Sequence, residues 1–471
     1  MDSSDTVLRR QRQGLRLVIR TLFRNPKAQS GPQPAPLSHA DTGEEHMPLR
    51  QSGRAEKAEE QPNIHAAVRN GDLEAVQKAL RAVPEALTAT NDQGMTPLSL
   101  AVLHGNLAIA KHLVSAGASV LPADNNGESL MCFAATTQQA AIIRWLALQH
   151  DGKLTNARDL AGNTALHHAV CRDGVHVVRI LLERGADPNL QALPPPSDPN
   201  SNSNSDDNTN RGLGTPLSYA VVTARASKSP ATCLDIVRLL LNHGARPDLA
   251  RECDGASPIH EAAAGGLHAV LAALLDDGRR PGMVDLGSPD PRDGLMRGTT
   301  PLMYAAGQAG GETVGFLLSR GADPARINEL GETVLHWAVV NDNEAEAVAA
   351  IRLLVGRPGG KELVNVRHRY GGTALHGAAY KGKMESVRTL LRLGADWTLV
   401  ASDHHYGKLL GLGGTAEELA RGQGHWEVAE YLAHWAESGG CEQGEEGGKE
   451  AEDGVDEKGN GEDGEEGGAR L

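Results

Sequence analysis

The feature that most constrains this chain is a recurring spacing of 15 residues between large apolar side chains, each pair preceded by Thr or Ser. The pairs are Leu98–Leu113, Leu130–Trp145, Leu166–Leu181, Ile259–Leu274, Leu302–Leu317 and Leu375–Leu390. The hydroxyl residue just upstream of each pair is of the kind that caps a helix N-terminus. A pattern that repeats with a period of 33 residues or slightly more, as between Thr96 and Ser129, predicts a stack of small units rather than one globular core.

Each unit reads as two short antiparallel helices, and residues 159–189 show this best. Gly162 marks a turn and Thr164 the start of the first helix, whose apolar residues fall three and four positions apart. A second apolar set runs from Val177 to Leu182, and Gly185 follows it, where a glycine with positive φ commonly ends a helix. Neither helix can bury its apolar side alone, so neighbouring units are expected to pack together.

The units share a motif that identifies a family. The first helices begin TPLSLA (96–101), TALHHA (164–169), TPLSYA (215–220), SPIHEA (257–262), TPLMYA (300–305), TVLHWA (333–338) and TALHGA (373–378). Second helices end in LLERGADPN, LLNHGARPD, LLSRGADPA and LLRLGADWT. The pattern resembles the ankyrin repeat, with about ten units over residues 61–435. The resemblance implies an all-α solenoid of helix-turn-helix units with β-turn fingers. It also implies that His167, His260, His336 and His376 bond the turn of a neighbouring repeat.

Several units depart from the regular length. Residues 191–212 contain almost no apolar side chain and are predicted to be a disordered insert between two repeats. In the fifth unit Leu217 and Leu240 are 23 residues apart, which predicts a loop between the two helices that is longer by eight residues. The third unit is degenerate, and its Cys132, Phe133 and Trp145 are interpreted as local core packing, with a surface anchor for a partner as the alternative.

The two ends of the chain differ from its middle. Residues 1–60 are predicted to be mostly disordered, but residues 8–24 would form a basic amphipathic helix that could lie on a membrane, serve as a targeting signal or dock on the repeats. Residues 436–471 are predicted to be a disordered tail, since Glu437–Leu471 holds 13 acidic and 3 basic side chains.

Composition excludes several function classes. The net charge of −14 and the 3% aromatic content argue against a nucleic-acid-binding surface. The five cysteines have no metal-type spacing, and adjacent histidines such as His167 and His168 diverge on a helix, so neither a metal nor another cofactor is expected. No hydrolase, kinase or phosphate-loop motif is present, which predicts a protein that is not an enzyme. Free cysteines favour an intracellular location, cytoplasmic or nuclear.

The ankyrin resemblance implies protein binding on a concave surface built from finger tips and first helices. The residues at matching positions are predicted to contact a protein partner: Arg369, Tyr370, Tyr380, Lys381, Met95, Leu103, His104 and Arg172. The first four form the richest set because Tyr and Arg dominate interface energetics, whereas Trp337, one place off, is expected to be packed. The favoured function is a monomeric interaction scaffold or adaptor. The alternatives are a peripheral membrane adaptor anchored by residues 8–24 and a regulatory subunit of an enzyme encoded elsewhere.

Overall fold

The computed structural model describes residues 63–120, 129–149, 153–159, 162–192, 214–226, 229–251, 255–276, 282–289, 297–402 and 414–439. Within these residues the α-helices follow one another in ten pairs. The pairs are α1 Ile64–Asn70 and α2 Leu73–Ala82; α3 Pro97–Leu103 and α4 Leu107–Ser115; α5 Leu130–Thr136 and α6 Ala140–Leu146; α7 Ala165–Cys171 and α8 Val175–Glu183; α9 Pro216–Ala226 and α10 Pro230–Asn242; α11 Pro258–Ala264 and α12 His268–Leu275; α13 Pro301–Tyr304 and α14 Gly311–Ser319; α15 Val334–Ala338 and α16 Glu344–Val355; α17 Ala374–Tyr380 and α18 Met384–Arg392; α19 Ala416–Gly422 and α20 Trp426–Glu437.

Short segments complete the helix pairs. The 3-10 turns Pro84–Leu87, Met283–Asp285 and Gly360–Leu363 lie between pairs, and the π-helical turn Ala305–Ala309 extends α13. No strand of a sheet occurs among the residues that the structure describes, where two isolated β-bridges stand instead. The prediction of an all-α solenoid is confirmed.

The helix boundaries follow from the sequence signals. Thr96 accepts a hydrogen bond from the backbone N–H of Ser99 at 3.2 Å, and Pro97 occupies the first helical position, where its missing N–H costs nothing. At the far end of the fourth unit, Gly185 has φ +85°, and the N–H of Ala186 donates to the carbonyl oxygen of Leu181 at 2.9 Å. This is the left-handed helix end that the glycine predicted.

Successive pairs pack into one continuous core. Buried apolar side chains form a single cluster that extends from Ile64 in α1 to Trp435 in α20. Asn side chains join neighbouring units at their edges: Asn189 Nδ2 donates to the Gly244 carbonyl at 3.0 Å, and Asn189 Oδ1 accepts from the N–H of Arg246 at 2.8 Å. Because each unit contacts its neighbours, the stack has no central domain and stability is distributed along its length.

The lengthened fifth unit corrects a prediction. Its eight additional residues do not form a longer loop; α9 has 11 residues and α10 has 13, against 7 in α7 and 9 in α8. Each helix therefore gains four residues, about one turn, which keeps its apolar face toward the same neighbours.

Two smaller corrections concern register and the insert. In the third unit Leu146 is fully buried while Trp145 is half-buried, so the equivalent pair is Met131 and Leu146 rather than Leu130 and Trp145. Residues 191–192 belong to the fold: the N–H of Ala192 donates to the Gly214 carbonyl at 2.9 Å, and Gln191 Nε2 donates to the Ala250 carbonyl at 3.0 Å. The rest of the predicted insert, residues 8–24 and the acidic tail lie outside the described residues, and the predictions made for them stay predictions.

Candidate protein-binding surface

Four of the predicted residues belong to the ninth unit, and we call Arg369, Tyr370, Tyr380 and Lys381 the ninth-repeat patch. Arg369 and Tyr370 lie at the tip of the finger, and Tyr380 and Lys381 lie at the C-terminal end of α17. The finger is a tight turn closed by the N–H of Gly371, which donates to the His368 carbonyl at 2.8 Å. Gly371 has φ +77°, a conformation that side chains disfavour, so the turn requires glycine here.

Backbone hydrogen bonds join the fingers of four successive units. The N–H of Glu329 donates to the Arg297 carbonyl at 3.0 Å. The N–H of Arg369 donates to the Leu330 carbonyl at 2.6 Å, and the N–H of Ser402 donates to the Tyr370 carbonyl at 2.9 Å. These bonds fix the backbone of the finger tips from the seventh unit to the tenth. A partner would therefore meet a preorganised row, which reduces the entropy cost of binding.

The side chains of the patch differ in exposure. Arg369 is exposed, whereas Tyr370, Tyr380 and Lys381 are half-buried. The Tyr370 ring packs edge-on against His368, with centroids 5.9 Å apart. Both tyrosines thus keep part of their surface exposed to solvent, and the contact with His368 holds the orientation of the Tyr370 ring.

The ninth unit is also a basic region in an acidic protein. Residues 364–397 contain six Lys or Arg and two Asp or Glu, while the whole chain has a net charge of −14. Some of these cations serve the fold: Arg367 Nε donates to the Gly371 carbonyl at 2.9 Å, and Lys383 Nζ donates to the Asp342 carbonyl at 3.0 Å. Arg369 is exposed at the finger tip and adds positive charge directly to the patch.

The other predicted residues lie elsewhere and one is misplaced. His104 and Leu103 belong to the second unit and Arg172 to the fourth, so the structure does not bring them together with the ninth-repeat patch. His104 and Arg172 are exposed and Leu103 is half-buried against the core. Met95 is a correction: only 6% of it is exposed, because its apolar side chain turns into the core instead of facing a partner. Sequence position alone placed it on the surface, although its apolar character was a contrary signal.

Two aromatic residues refine the surface description. Trp337 is packed as predicted, with 5% exposed, and its Nε1–H donates to a Glu332 carboxylate oxygen at 3.1 Å. Trp426, which the sequence reasoning missed, begins α20 with 61% of its surface exposed. The signal available in the sequence was a tryptophan at the first position of the second helix of the last unit.

The motif histidines have the structural role that the resemblance implied. His167 Nδ1 lies 3.0 Å from the backbone nitrogen of Thr164, which can only donate, so Nδ1 is an acceptor and Nε2 carries the proton. Nε2–H donates to the Gly214 carbonyl of the next unit at 3.1 Å. His260, His336 and His376 repeat both contacts, with the carbonyls of Thr299, Gly372 and Leu399 as partners. Each histidine caps its own helix and reaches the following finger.

Burial disfavours the charged form of three of these rings. Desolvation lowers the pKa of His167 to about 3 and that of His336 to about 4, and it lowers the pKa of His376 in the same direction. The hydroxyl–imidazole pairs resemble the nucleophile and base of a hydrolase, yet Ser257 and His260 are both fully buried, and both imidazole nitrogens of His260 already contact backbone groups, the N–H of Ser257 and the carbonyl oxygen of Thr299. A substrate cannot reach them, so these pairs stabilise the fold rather than perform chemistry.

The three described cysteines are free thiols. Cys132, Cys171 and Cys233 are not in disulfides; Cys132 and Cys233 are buried and Cys171 is half-buried. Burial raises the pKa of the Cys171 thiol to about 12, which makes it a poor nucleophile. In the described part of the chain, no helix is both long and apolar enough to cross a bilayer.

Comparison with known proteins agrees with the geometry. The family profile described as "Ankyrin repeats (3 copies)" matches residues 51–124, 121–192, 224–328, 274–358 and 302–401. The mouse B-cell lymphoma 3 protein homolog is 35% identical over 183 residues, which is 39% of this chain and 36% of that protein. The chicken nuclear factor NF-kappa-B p105 subunit is 27% identical over 261 residues, 52% of this chain and 24% of that protein.

A solved structure of the ankyrin repeat domain of Bcl-3, described as a unique member of the IkappaB protein family, is 27% identical. The match covers 54% of this chain and 97% of the Bcl-3 chain, with a TM-score of 0.43. The chain spans about a third or less of the two curated relatives' own lengths, so the likeness concerns the repeats. With the profile matching more than half of the chain and ten stacked helix pairs in the structure, this protein belongs to the ankyrin-repeat family.

Proposed function

We propose that this protein is a non-catalytic, intracellular interaction scaffold or adaptor that binds a protein partner on the concave side of its repeats. Ankyrin repeats support a protein–protein interaction role. The observation that carries the proposal is the row of fingers joined by backbone bonds, which holds Arg369 and Tyr370 at its tip. Tyr and Arg are the residue types that contribute most to interfaces.

The charge of the ninth unit narrows the chemistry of the partner. A basic, aromatic patch on an acidic protein fits a partner segment that is rich in Asp or Glu and carries apolar side chains for the tyrosines. Electrostatic attraction would speed association, and the half-buried rings would supply the apolar contact. The binding mode needs no rearrangement of the repeats, because the finger backbones are already fixed.

The proposal is tested by capturing partners from a cell lysate with the full chain and comparing variants by quantitative mass spectrometry. Tyr370→Ala with Tyr380→Ala should weaken a captured partner by roughly 1–4 kcal/mol, the usual range for aromatic anchors. Arg369→Glu should weaken the same partner and reduce the salt dependence of binding. The melting temperature should stay within about two degrees, as is usual for surface positions.

Arg392→Glu is the matched control, since Arg392 is exposed at the end of α18 in the same unit and the charge change is identical. The Arg392→Glu variant should capture the same partners as the unsubstituted chain. If the patch variants keep every partner at unchanged affinity, the binding surface lies elsewhere. If the tyrosine variant loses much of its stability, the rings belong to the core.

A further inference from the structure

Three side chains with metal-binding chemistry converge between the third and fourth units. They are Cys132 of α5, Asp159 of the next finger and His168 of α7, and one donor atom of each lies within 4.8 Å of the others. Cys132 is 1% exposed, and the side chains of Asp159 and His168 are 6% and 27% exposed. The cluster is therefore largely buried, with access from the side of His168.

The repeat architecture explains why Cys132 points there. It stands three residues after Ser129, the position that His167 has after Thr164. From that position the motif histidines reach the following finger, and the Cys132 sulfur does the same, lying 3.9 Å from the carbonyl oxygens of Ala157 and Asn163. The thiol thus replaces an imidazole at the junction of two units.

The other two groups are held by the finger and by α7. Asp159 Oδ1 accepts from the N–H of Asn163 at 2.8 Å, which fixes the carboxylate, and its Oδ2 accepts from His168 Nε2 at 2.6 Å. The sixth unit has an ion pair between Arg251 and Glu261 at the equivalent turn and helix positions. In the sixth unit the guanidinium of Arg251 provides the positive charge. In the fourth unit the pair is the carboxylate of Asp159 and the imidazole of His168, and the thiol of Cys132 lies beside them.

We propose that Cys132, Asp159 and His168 bind a thiophilic divalent cation of the Zn²⁺ type and thereby fasten the third unit to the fourth. Thiolate sulfur, imidazole nitrogen and carboxylate oxygen are all zinc ligands, with bonds of about 2.0–2.3 Å. Sulfur among the ligands disfavours Mg²⁺ and Ca²⁺. Side-chain rotations that move the donor atoms by about 1 Å would give them the separations of a tetrahedral site. A water molecule would be the fourth ligand of the metal.

The proton balance of binding is simple. The Cys132 thiol loses its proton to solvent, and Asp159 binds as the carboxylate that it already is. The proton on His168 Nε2 is lost and one is taken up at Nδ1, so Nε2 offers its lone pair to the metal and the ring stays neutral. One proton is released in total, and the thiolate and carboxylate charges neutralise a divalent cation. Affinity should therefore increase with pH.

One neighbouring charge opposes the cation. Arg158 precedes Asp159 on the same finger, but its guanidinium donates to the carbonyl oxygens of Gly162, at 2.7 Å, and Gln191. It is thus directed along the finger toward the fifth unit instead of into the cluster, and the two negative charges of the bound ligands outweigh it.

The test uses the full chain, stripped of metal with a chelator and kept reduced with a phosphine. Titration with Co²⁺ should produce a thiolate-to-metal charge-transfer band that saturates at one equivalent, and Zn²⁺ should abolish the band by displacement. Cys132→Ser should remove the band, and Asp159→Asn and His168→Asn should each weaken Zn²⁺ binding at least tenfold by calorimetry. Cys171→Ser and Cys233→Ser are matched controls that should bind like the unsubstituted chain.

Circular dichroism establishes that each variant is folded. If Cys132→Ser loses helicity, the half-exposed His168→Asn decides the question through the same Zn²⁺ titration. The proposal is overturned if no charge-transfer band forms with excess Co²⁺, or if the band persists unchanged in Cys132→Ser. The proposal is also overturned if His168→Asn binds Zn²⁺ as tightly as the unsubstituted chain. Asp159 and His168 would then be a hydrogen-bonded pair only.

Discussion

Acidification should lower the free energy of unfolding of the repeats, and the size of the loss follows from the pKa values of the buried histidines. The pKa of His167 is lowered to about 3 and that of His336 to about 4, whereas an unfolded histidine titrates near 6.5. Between these values the unfolded chain binds more protons than the folded one, so the stabilising contribution is complete above about pH 6.5 and is lost as the pH falls toward the folded pKa. At pH 5.0 each histidine should have lost about 2 kcal/mol, or about 4 kcal/mol together.

The measurement is urea unfolding followed by circular dichroism at pH 7.5 and 5.0, with hydrogen exchange of α7 and α15 as a local readout. His167→Ser is the informative variant because the second and fifth units already have Ser at this position, where Ser99 and Ser218 pair with the capping threonine. The variant should be less stable at pH 7.5, yet its loss between pH 7.5 and 5.0 should be smaller by about 2 kcal/mol. An unchanged pH dependence in this variant would refute the argument.

Two further predictions concern the solenoid. Leu182→Asp should destabilise the chain by at least about 3 kcal/mol and unfold the fourth unit and its neighbours first, because it buries an unpaired charge in a shared core. Arg179→Asp, at an exposed position of the same helix, is the control and should have little effect. Equal losses of stability in the two variants would contradict the burial assigned to Leu182. The low apolar content of residues 193–213 predicts that trypsin cleaves at Arg211 earlier than at Arg225 of α9, with both fragments still associated in gel filtration; protection of Arg211 would show that the insert packs.

The sequence predicted the stack well because its signals are local. The capping threonines, the glycines at helix ends and the Leu spacing each act within a few residues, and the structure has the helices where they indicated. The fifth unit shows the limit: an excess of eight residues could lengthen a loop or two helices. The sequence around Ala226 is compatible with both, and packing against the neighbouring units decides.

Contacts between units were harder to predict. The ninth-repeat patch could be proposed from the sequence because its members lie close together there, whereas Cys132 and His168 are a full unit apart and come together only through stacking. The prediction of an exposed Met95 was wrong for another reason. Its position in the motif was correct, but the direction of its side chain depends on the apolar surface available beneath it.

The histidine bridges give the stack a polarity. Every such bond described above runs from a unit to the one that follows it: the fourth, sixth, eighth and ninth units carry the imidazole, and the fifth, seventh, ninth and tenth units supply the carbonyl oxygen. In the last unit Glu418 occupies the histidine position, accepts a hydrogen bond from the N–H of Thr415 at 2.8 Å and is exposed. It keeps the half of the contact that caps a helix N-terminus. The second and fifth units, with Ser99 and Ser218 at this position, stack on the next unit without an imidazole, so a histidine bridge adds a directional bond to a junction that apolar packing already forms.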